Sequence, residues 1–265
     1  MGSEIEGINF MAETSNIKMI ALDLDGTLLR DDETVSQYTA NVLERCREKG
    51  IKIIYATVRG TVTDSIVLPD IFDGYVRLGG AVAYCGTDTV YSKLMPINHV
   101  RDFLITLHGQ GLQVAARDDG THYANFNVSD IWPWLTNYKI IKFEDIELDV
   151  EKIYAITETP EAVNIVRENL PSNLHLFVSR DDLTFVTHED AIKSKAISAI
   201  AQTWGINQSE IVGFGDDLID IEMLQYCGVG VAMENALPEV KTAADFICGS
   251  NENDGVAKWL EENVL

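Results

Sequence analysis

Apolar residues arrive in short, nearly continuous runs separated by amphipathic stretches, an alternation that predicts strands and helices in turn. Residues 17–24 form such a run and end in the polar turn Asp23-Leu24-Asp25-Gly26-Thr27, as a buried parallel strand stopping at a functional edge would. Residues 39–49 place Ala40, Leu43 and Cys46 on one helical face, and Gly50 follows where a left-handed cap is wanted. Residues 51–56 (IKIIYA) predict a second strand that reaches polar Thr57, and residues 74–78 a third. The pattern resumes late in the chain: helix 191–204, strand 211–214 ending in Gly215-Asp216-Asp217, helix 221–226 and strand 229–233.

Alternating strands and helices with short connections predict an α/β fold, a doubly wound parallel Rossmann-like sheet whose polar strand ends converge. The intervening residues 83–187 have another texture, with helices over 97–110 and 160–170 among strand-like pieces at 112–116, 152–156 and 184–187. That mixture predicts an inserted α+β cap domain, with the core formed by residues 17–82 and 188–265. Trp132, Pro133 and Trp134 read as packing or a cap surface, and His122 and Tyr123 as packed residues of the insert. Residues 1–16 show no clear period and read as a leader outside the fold.

Charge changes the picture of partners. Lys and Arg number 20 against 42 Asp and Glu, a net charge of −22 that repels nucleic acid and anionic membranes, so neither is expected as a partner. The same field repels a phosphorylated ligand, so a site for one needs local cations or a metal. Four dispersed cysteines (Cys46, Cys85, Cys227, Cys248) suit a reducing, cytoplasmic compartment, and no apolar run approaches the roughly 20 residues that cross a bilayer. A monomer or small homo-oligomer is expected. The five histidines are dispersed, which disfavours zinc.

The chemistry concentrates at Asp23 and Asp25. Side chains alternate along a strand with a rise of about 3.3 Å per residue, so both carboxylates can address one site as the strand begins to turn. One can attack phosphorus while the other gives a proton to the leaving oxygen and later takes one from water. Gly26 permits the turn, and the Thr27 hydroxyl can bond a neighbouring carboxylate or the phosphate.

Asp23 to Thr27, followed by Leu28-Leu29, resembles the first motif of the haloacid dehalogenase superfamily, and the remainder resembles its Cof-type sugar-phosphatase branch, most strongly over residues 193–257. VGFGDDLIDIEMLQYCGVGVAMENA (212–236) is similar to the fourth motif and its sequel, and NENDGVA (251–257) to the C-terminal ending. The resemblance implies a Mg²⁺-dependent phosphatase of small phosphorylated metabolites: sugar phosphates, nucleotide phosphates or cofactors such as pyridoxal phosphate. It makes Asp23 the nucleophile and metal ligand, and Asp25 the acid/base whose backbone carbonyl also meets the metal. Thr57 and Arg59 match the second motif, holding phosphate and substrate, with Thr27 also on the substrate side. Lys195 matches the third-motif lysine, with Lys193 its rival; Asp216 matches the metal ligand of the fourth motif, and Asp220 its supporting acid. The insert would close over the site. A phosphomutase and a catalytically idle homologue are the alternative readings.

Three positions depart from the family pattern: Val58 and Gly79 stand where Gly and Asn are usual, and Ile219 where Asn usually precedes Asp220. Taken singly, Arg59 could only pair with acidic residues and Asp220 could be a helix N-terminal acid. Asp217 and Asp254 read as exposed turn acids.

Overall fold

A computed structural model describes residues 16–60, 70–179 and 182–265; all of the unpatterned leader except Asn16 lies outside them. The described chain divides into two compact units, one running to Ser92 and resuming over Ile192–Leu265, the other spanning Lys93–Ala191.

The first unit opens with β1 (Met19–Leu22), α1 (Gln37–Glu48), β2 (Lys52–Ala56), β3 (Gly74–Arg77), β4 (Val82–Cys85) and β5 (Asp88–Ser92). The Ser36 side chain accepts the Thr39 N–H and starts α1, which turns Val42, Leu43 and Cys46 inward.

The second unit carries α2 (Ile97–Gly109), β6 (Val114–Asp118), β7 (Thr121–Ala124), β8 (Tyr138–Ile140), β9 (Lys152–Ile156), α3 (Pro160–Glu168), β10 (Leu174–Val178) and β11 (Leu183–His188). Its sheet runs β10-β11-β9-β6-β7-β8, antiparallel except for the β7–β8 pair. Phe103, Leu104 and Leu107 of α2 and Val166 of α3 cluster with Val114, Ala116 and Ile153 of the sheet. Trp132 meets Tyr154 edge-on at 5.6 Å, whereas Trp134 is 76% exposed. His122 Nδ1 lies 3.0 Å from the Tyr154 hydroxyl.

The chain then completes the first unit with α4 (Lys193–Thr203), β12 (Ile211–Gly215), α5 (Ile221–Tyr226), β13 (Val229–Ala232), α6 (Pro238–Ala243), β14 (Phe246–Ile247) and α7 (Gly255–Asn263). The eight strands stand in the order β14-β13-β12-β1-β2-β3-β4-β5. From β14 to β3 the pairing is parallel, with Ala21 of β1 between Ile54 of β2 and Gly213 of β12. Every residue of β1, β12 and β13 is buried, as central strands covered on both faces must be. Strands after β1 are added in one direction and strands after β12 in the other. The boundary between β1 and β12 is therefore the switch point where such sheets open a crevice at their carboxyl ends.

The hairpin of β4 and β5 pairs antiparallel with β3 and extends the core sheet. The first unit thus runs to Ser92 and resumes at Ile192, where the sequence places its edges at 82 and 188. Asp88, Thr89 and Ser92 of β5 are exposed, so an edge strand of the core carries the mixed polar texture of the insert. No helix among the described residues is long and apolar enough to cross a membrane.

Candidate active site

Strand ends in the first unit deliver the polar side chains. Asp23 lies one residue beyond β1, and its backbone N–H donates to the Phe214 carbonyl of β12 at 3.0 Å, which ties the two central strands together at the tip. Asp216 lies one residue beyond β12 and Thr57 one beyond β2. Asp23, Asp216 and Asp220 each bring one carboxylate oxygen within 4.8 Å of the others.

The ammonium in this cluster belongs to Lys193, not Lys195. Lys193 Nζ donates to Asp23 Oδ1 at 2.6 Å and to Asp220 Oδ1 at 2.7 Å, and its side chain is fully buried. Lys195, where the sequence match places the role, is exposed. Helix geometry explains the difference. Lys193, Ala196, Ile197, Ile200 and Ala201 share the buried stripe of α4, and a residue two positions from Lys193 turns to another face. That periodicity was present in the sequence and favours Lys193.

Close backbone packing sets the position of Lys193. Gly80, at φ +112°, lies so near the residue before α4 that an added Cβ would stand 2.2 Å from the Ile192 carbonyl carbon. Any side chain at position 80 would push the start of α4 away. The same logic applies at Gly26 (φ +76°), where a Cβ would stand 2.5 Å from Asp216 Oδ2.

Asp220 is bound on both oxygens. Oδ1 takes Lys193, and Oδ2 accepts the backbone N–H groups of Asp216 and Asp217, each at 3.1 Å. It fixes the loop that carries Asp216 as well as the lysine, joining the two roles that the sequence left as alternatives. Asp217 caps the short turn beside it through the Leu218 N–H. Thr27 is buried, and its hydroxyl donates to Asp216 Oδ1 at 3.1 Å, so it reaches the neighbouring carboxylate.

Asp25 is exposed, and Arg59 grips it with Nε 2.9 Å from Oδ2 and Nη2 2.5 Å from Oδ1, while Nη2 also reaches Glu33 Oε1 at 2.7 Å. The Asp25 bond, offset by partial burial and helped by Glu33, holds the guanidinium above the ordinary arginine range. Thr57 is fully buried, and its Oγ1 accepts the Arg59 backbone N–H at 3.1 Å. Two of the three departures from the family pattern are neighbours: a Cβ added at Gly79 would lie 3.5 Å from Ile219 Cδ1. We find no structural account of Val58.

The site's electrostatics follow from three buried or half-buried carboxylates sharing one ammonium. Burial works to lower Lys193, yet Asp220 and Asp23 outweigh it and hold the ammonium above the ordinary lysine range. Burial pushes the Asp23 carboxyl well up, Lys193 opposes it, and Asp220 and Asp216 add to the rise. Asp216 is pushed up to about 7 by burial, then by Asp220, with the Thr27 bond acting the other way. Such a cluster of hard oxygens, short of positive charge, suits a Mg²⁺ ion, which prefers a few carboxylates together with waters. Asp23, Asp216 and Asp220 together form the acidic cluster that could hold such an ion.

The sequence reading missed three contributors. Asp254 is not an exposed turn acid: it accepts from Arg30, Ser36 and Thr39 and fastens the segment between β1 and α1. Asn235 and Asn251 bond the backbone of the turn after Asp25. Their signal lay in MENA and NENDG, each polar and placed just past an apolar run.

Residues 20–260 match the sequence profile of the haloacid dehalogenase-like hydrolases. YxeH of Bacillus subtilis is 30% identical over 270 residues, covering 94% of this chain and 98% of its own. The Bacillus subtilis 5-amino-6-(5-phospho-D-ribitylamino)uracil phosphatase YcsE is 27% identical over 267 residues, covering 96% of this chain and 98% of its own. Among solved structures, the phosphatase BT1666 of Bacteroides thetaiotaomicron superposes with TM-score 0.81 at 27% identity, covering 94% of this chain and 96% of that one. The subclass IIB sugar phosphatase BT4131 superposes with TM-score 0.81 at 25% identity, covering 92% and 98%. With a family profile spanning nearly its whole length and a site at the expected switch point, the chain belongs to the haloacid dehalogenase-like hydrolase family, in its Cof-type phosphatase branch.

Proposed function

We propose that the chain hydrolyses small phosphorylated metabolites through an aspartyl-phosphate on Asp23, with Mg²⁺ held by Asp23, Asp216 and the Asp25 backbone carbonyl. The observation that carries this reading is the Lys193 ammonium between Asp23 and Asp220, beside Asp216, at the tips of β1 and β12.

A carboxylate oxygen of Asp23 attacks phosphorus, the bond from phosphorus to the ester oxygen breaks, and the leaving oxygen takes a proton from Asp25. Water then attacks the same phosphorus, Asp25 takes its proton, and inorganic phosphate leaves with Asp23 restored. Mg²⁺ supplies charge neutralisation for the phosphoryl oxygens. Lys193 lowers the cost of gathering negative charge around Asp23, and the Thr57 hydroxyl is a donor for a phosphoryl oxygen. Arg59 orients Asp25 through two parallel hydrogen bonds. The names of YcsE and BT4131 share a phosphate ester on a sugar or sugar-alcohol carbon. We take the same class as this chain's substrate.

Phosphate release from a panel of sugar, sugar-alcohol and nucleotide phosphates, with and without Mg²⁺, tests the reading. Expected are Mg²⁺-dependent turnover of sugar or sugar-alcohol phosphates and its loss in Asp23→Asn. Full activity in Asp23→Asn, or no release from any ester, would overturn it.

A further inference from the structure

The turn that follows Asp25 is held from outside at both ends. Asn235 Nδ2 donates to the Gly26 carbonyl at 2.7 Å, and Asn251 Nδ2 donates to the Leu29 carbonyl at 3.0 Å and to Asp31 Oδ1 at 3.2 Å. The two asparagines are themselves joined, since the Asn251 backbone N–H donates to Asn235 Oδ1 at 3.1 Å. Asn235 is exposed and Asn251 buried, so one lies outside the packed interior and the other within it.

We infer that Asn235, locked in place by Asn251, is a positioning residue that sets the backbone plane between Gly26 and Thr27 and thereby aligns Asp25 and Asp216. The inference rests on the proposed function. Its physical basis is local. A hydrogen bond to the Gly26 carbonyl fixes the orientation of the peptide that joins Gly26 to Thr27. On one side of that peptide stands Gly26, which leaves no room for a side chain beside Asp216; on the other stands Thr27, whose hydroxyl bonds Asp216 Oδ1. Asp25 precedes it directly. Glycine at φ +76° has no side chain to resist rotation, so the turn needs an external restraint. Nearby hydrogen bonds leave this one distinct. The N–H groups of Thr27 and Leu29 bond back to the Leu24 carbonyl, which closes the turn on itself without fixing the Gly26 carbonyl.

Both asparagines lie far along the chain from the turn they hold. Asn235 follows β13, and its loop is tied to the site a second time through the Leu237 N–H, which donates to the Asp216 carbonyl at 3.1 Å. The loop after β13 therefore grips both the turn after β1 and the residue after β12. Asn251 belongs to the short segment whose Asp254 fastens Arg30, Ser36 and Thr39. The C-terminal segment thus clamps the whole connection from β1 to α1, and Asn235 carries that clamp to the peptide nearest the chemistry.

The test compares full-length Asn235→Ala and Asn235→Asp with the parent. Asn235→Asp keeps an acceptor for the Asn251 N–H and loses the donor to Gly26. The expected result is that both variants keep the parent's melting temperature, lose about tenfold in kcat with KM little changed, and bind Mg²⁺ several-fold more weakly by calorimetry without substrate. Amide exchange at residues 26–29 should accelerate in both. If kcat and the Mg²⁺ affinity stay at parent values, or if Asn235→Asp behaves as the parent, the donor role is wrong. The calorimetric and exchange readouts need no turnover. A parent without phosphatase activity whose Asn235 variants still bind Mg²⁺ weakly would sink the proposed function and leave this inference standing.

Discussion

Lys193 Nζ lies 2.6 Å from Asp23 Oδ1, and the two residues are 170 positions apart in the chain. The contact joins the first strand of the core to the first residue of the helix that follows the insert. Because Lys193 also bonds Asp220, one ammonium offsets two buried carboxylates.

Replacing Lys193 by Ala should cut turnover by at least about a hundredfold and lower stability by about 3–5 kcal/mol, since two buried carboxylates lose their counter-charge. Lys195→Ala should leave turnover within about twofold and stability within about 0.5 kcal/mol, the usual range for an exposed position. Steady-state kinetics and denaturant unfolding of the two variants check the assignment. The reverse outcome would return the role to Lys195.

Without metal, the contribution of Asp216 to stability should fall as pH rises from about 4 to about 7, against the opposite trend of His122, whose imidazole burial pushes down to about 4. Asp216 titrates near 7 in the folded protein, whereas an unfolded Asp titrates near 3.9, so the folded state binds the extra proton in that window. The loss should reach a few kcal/mol by about pH 7.5, and Asp23, also raised, adds in the same direction. Mg²⁺ favours the charged form, so it should raise the melting temperature more at pH 8 than at pH 5. Thermal melts across that range with Mg²⁺ or with chelator measure the Asp216 part as the difference between the parent and Asp216→Asn, in which both the parent's advantage at low pH and its pH-dependent response to Mg²⁺ should be lost.

Gly80→Ala should be severe. The added methyl would overlap the Ile192 backbone at an unfavourable φ, and relief requires moving the start of α4 and with it Lys193. We expect a stability loss of about 2–4 kcal/mol and a fall in kcat larger than the fall in folded fraction explains. Urea unfolding alongside active-site kinetics separates the two effects.

Arg59→Lys should behave much like Arg59→Ala, because a lysine cannot reproduce the two-point grip on Asp25 and the link to Glu33. About a tenfold loss in kcat is expected in each, from an acid/base no longer held in line. Parent-like kcat in Arg59→Lys would show that charge alone suffices.

The central strands and the acids at their tips were legible because strands buried on both faces read as continuous apolar runs, and a carboxylate at such a run's end stands out. Residues 221–226 and 152–156 were placed as the structure has them, since their patterns are bounded by turn residues. The β4–β5 hairpin was not legible as core because its outer strand is mostly exposed. Lys193 and Lys195 could be separated only by the phase of α4, and the motif match overrode that phase. Asn235, Asn251 and Asp254 act on backbone or on residues more than 200 positions away, a relation that no local pattern encodes.

The position of β1 bears on how the protein is made. Its two sheet neighbours are β2, which emerges from the ribosome soon after it, and β12, which emerges only after the whole insert has been synthesised. Until then one hydrogen-bonding edge of a wholly apolar strand has no partner, an invitation to pairing between nascent chains. The insert, by contrast, contains every strand of its own sheet and can close as soon as it is complete. Biogenesis should therefore proceed with the insert folding ahead of the core, and chains truncated before Ile192 should depend on chaperones to stay out of aggregates.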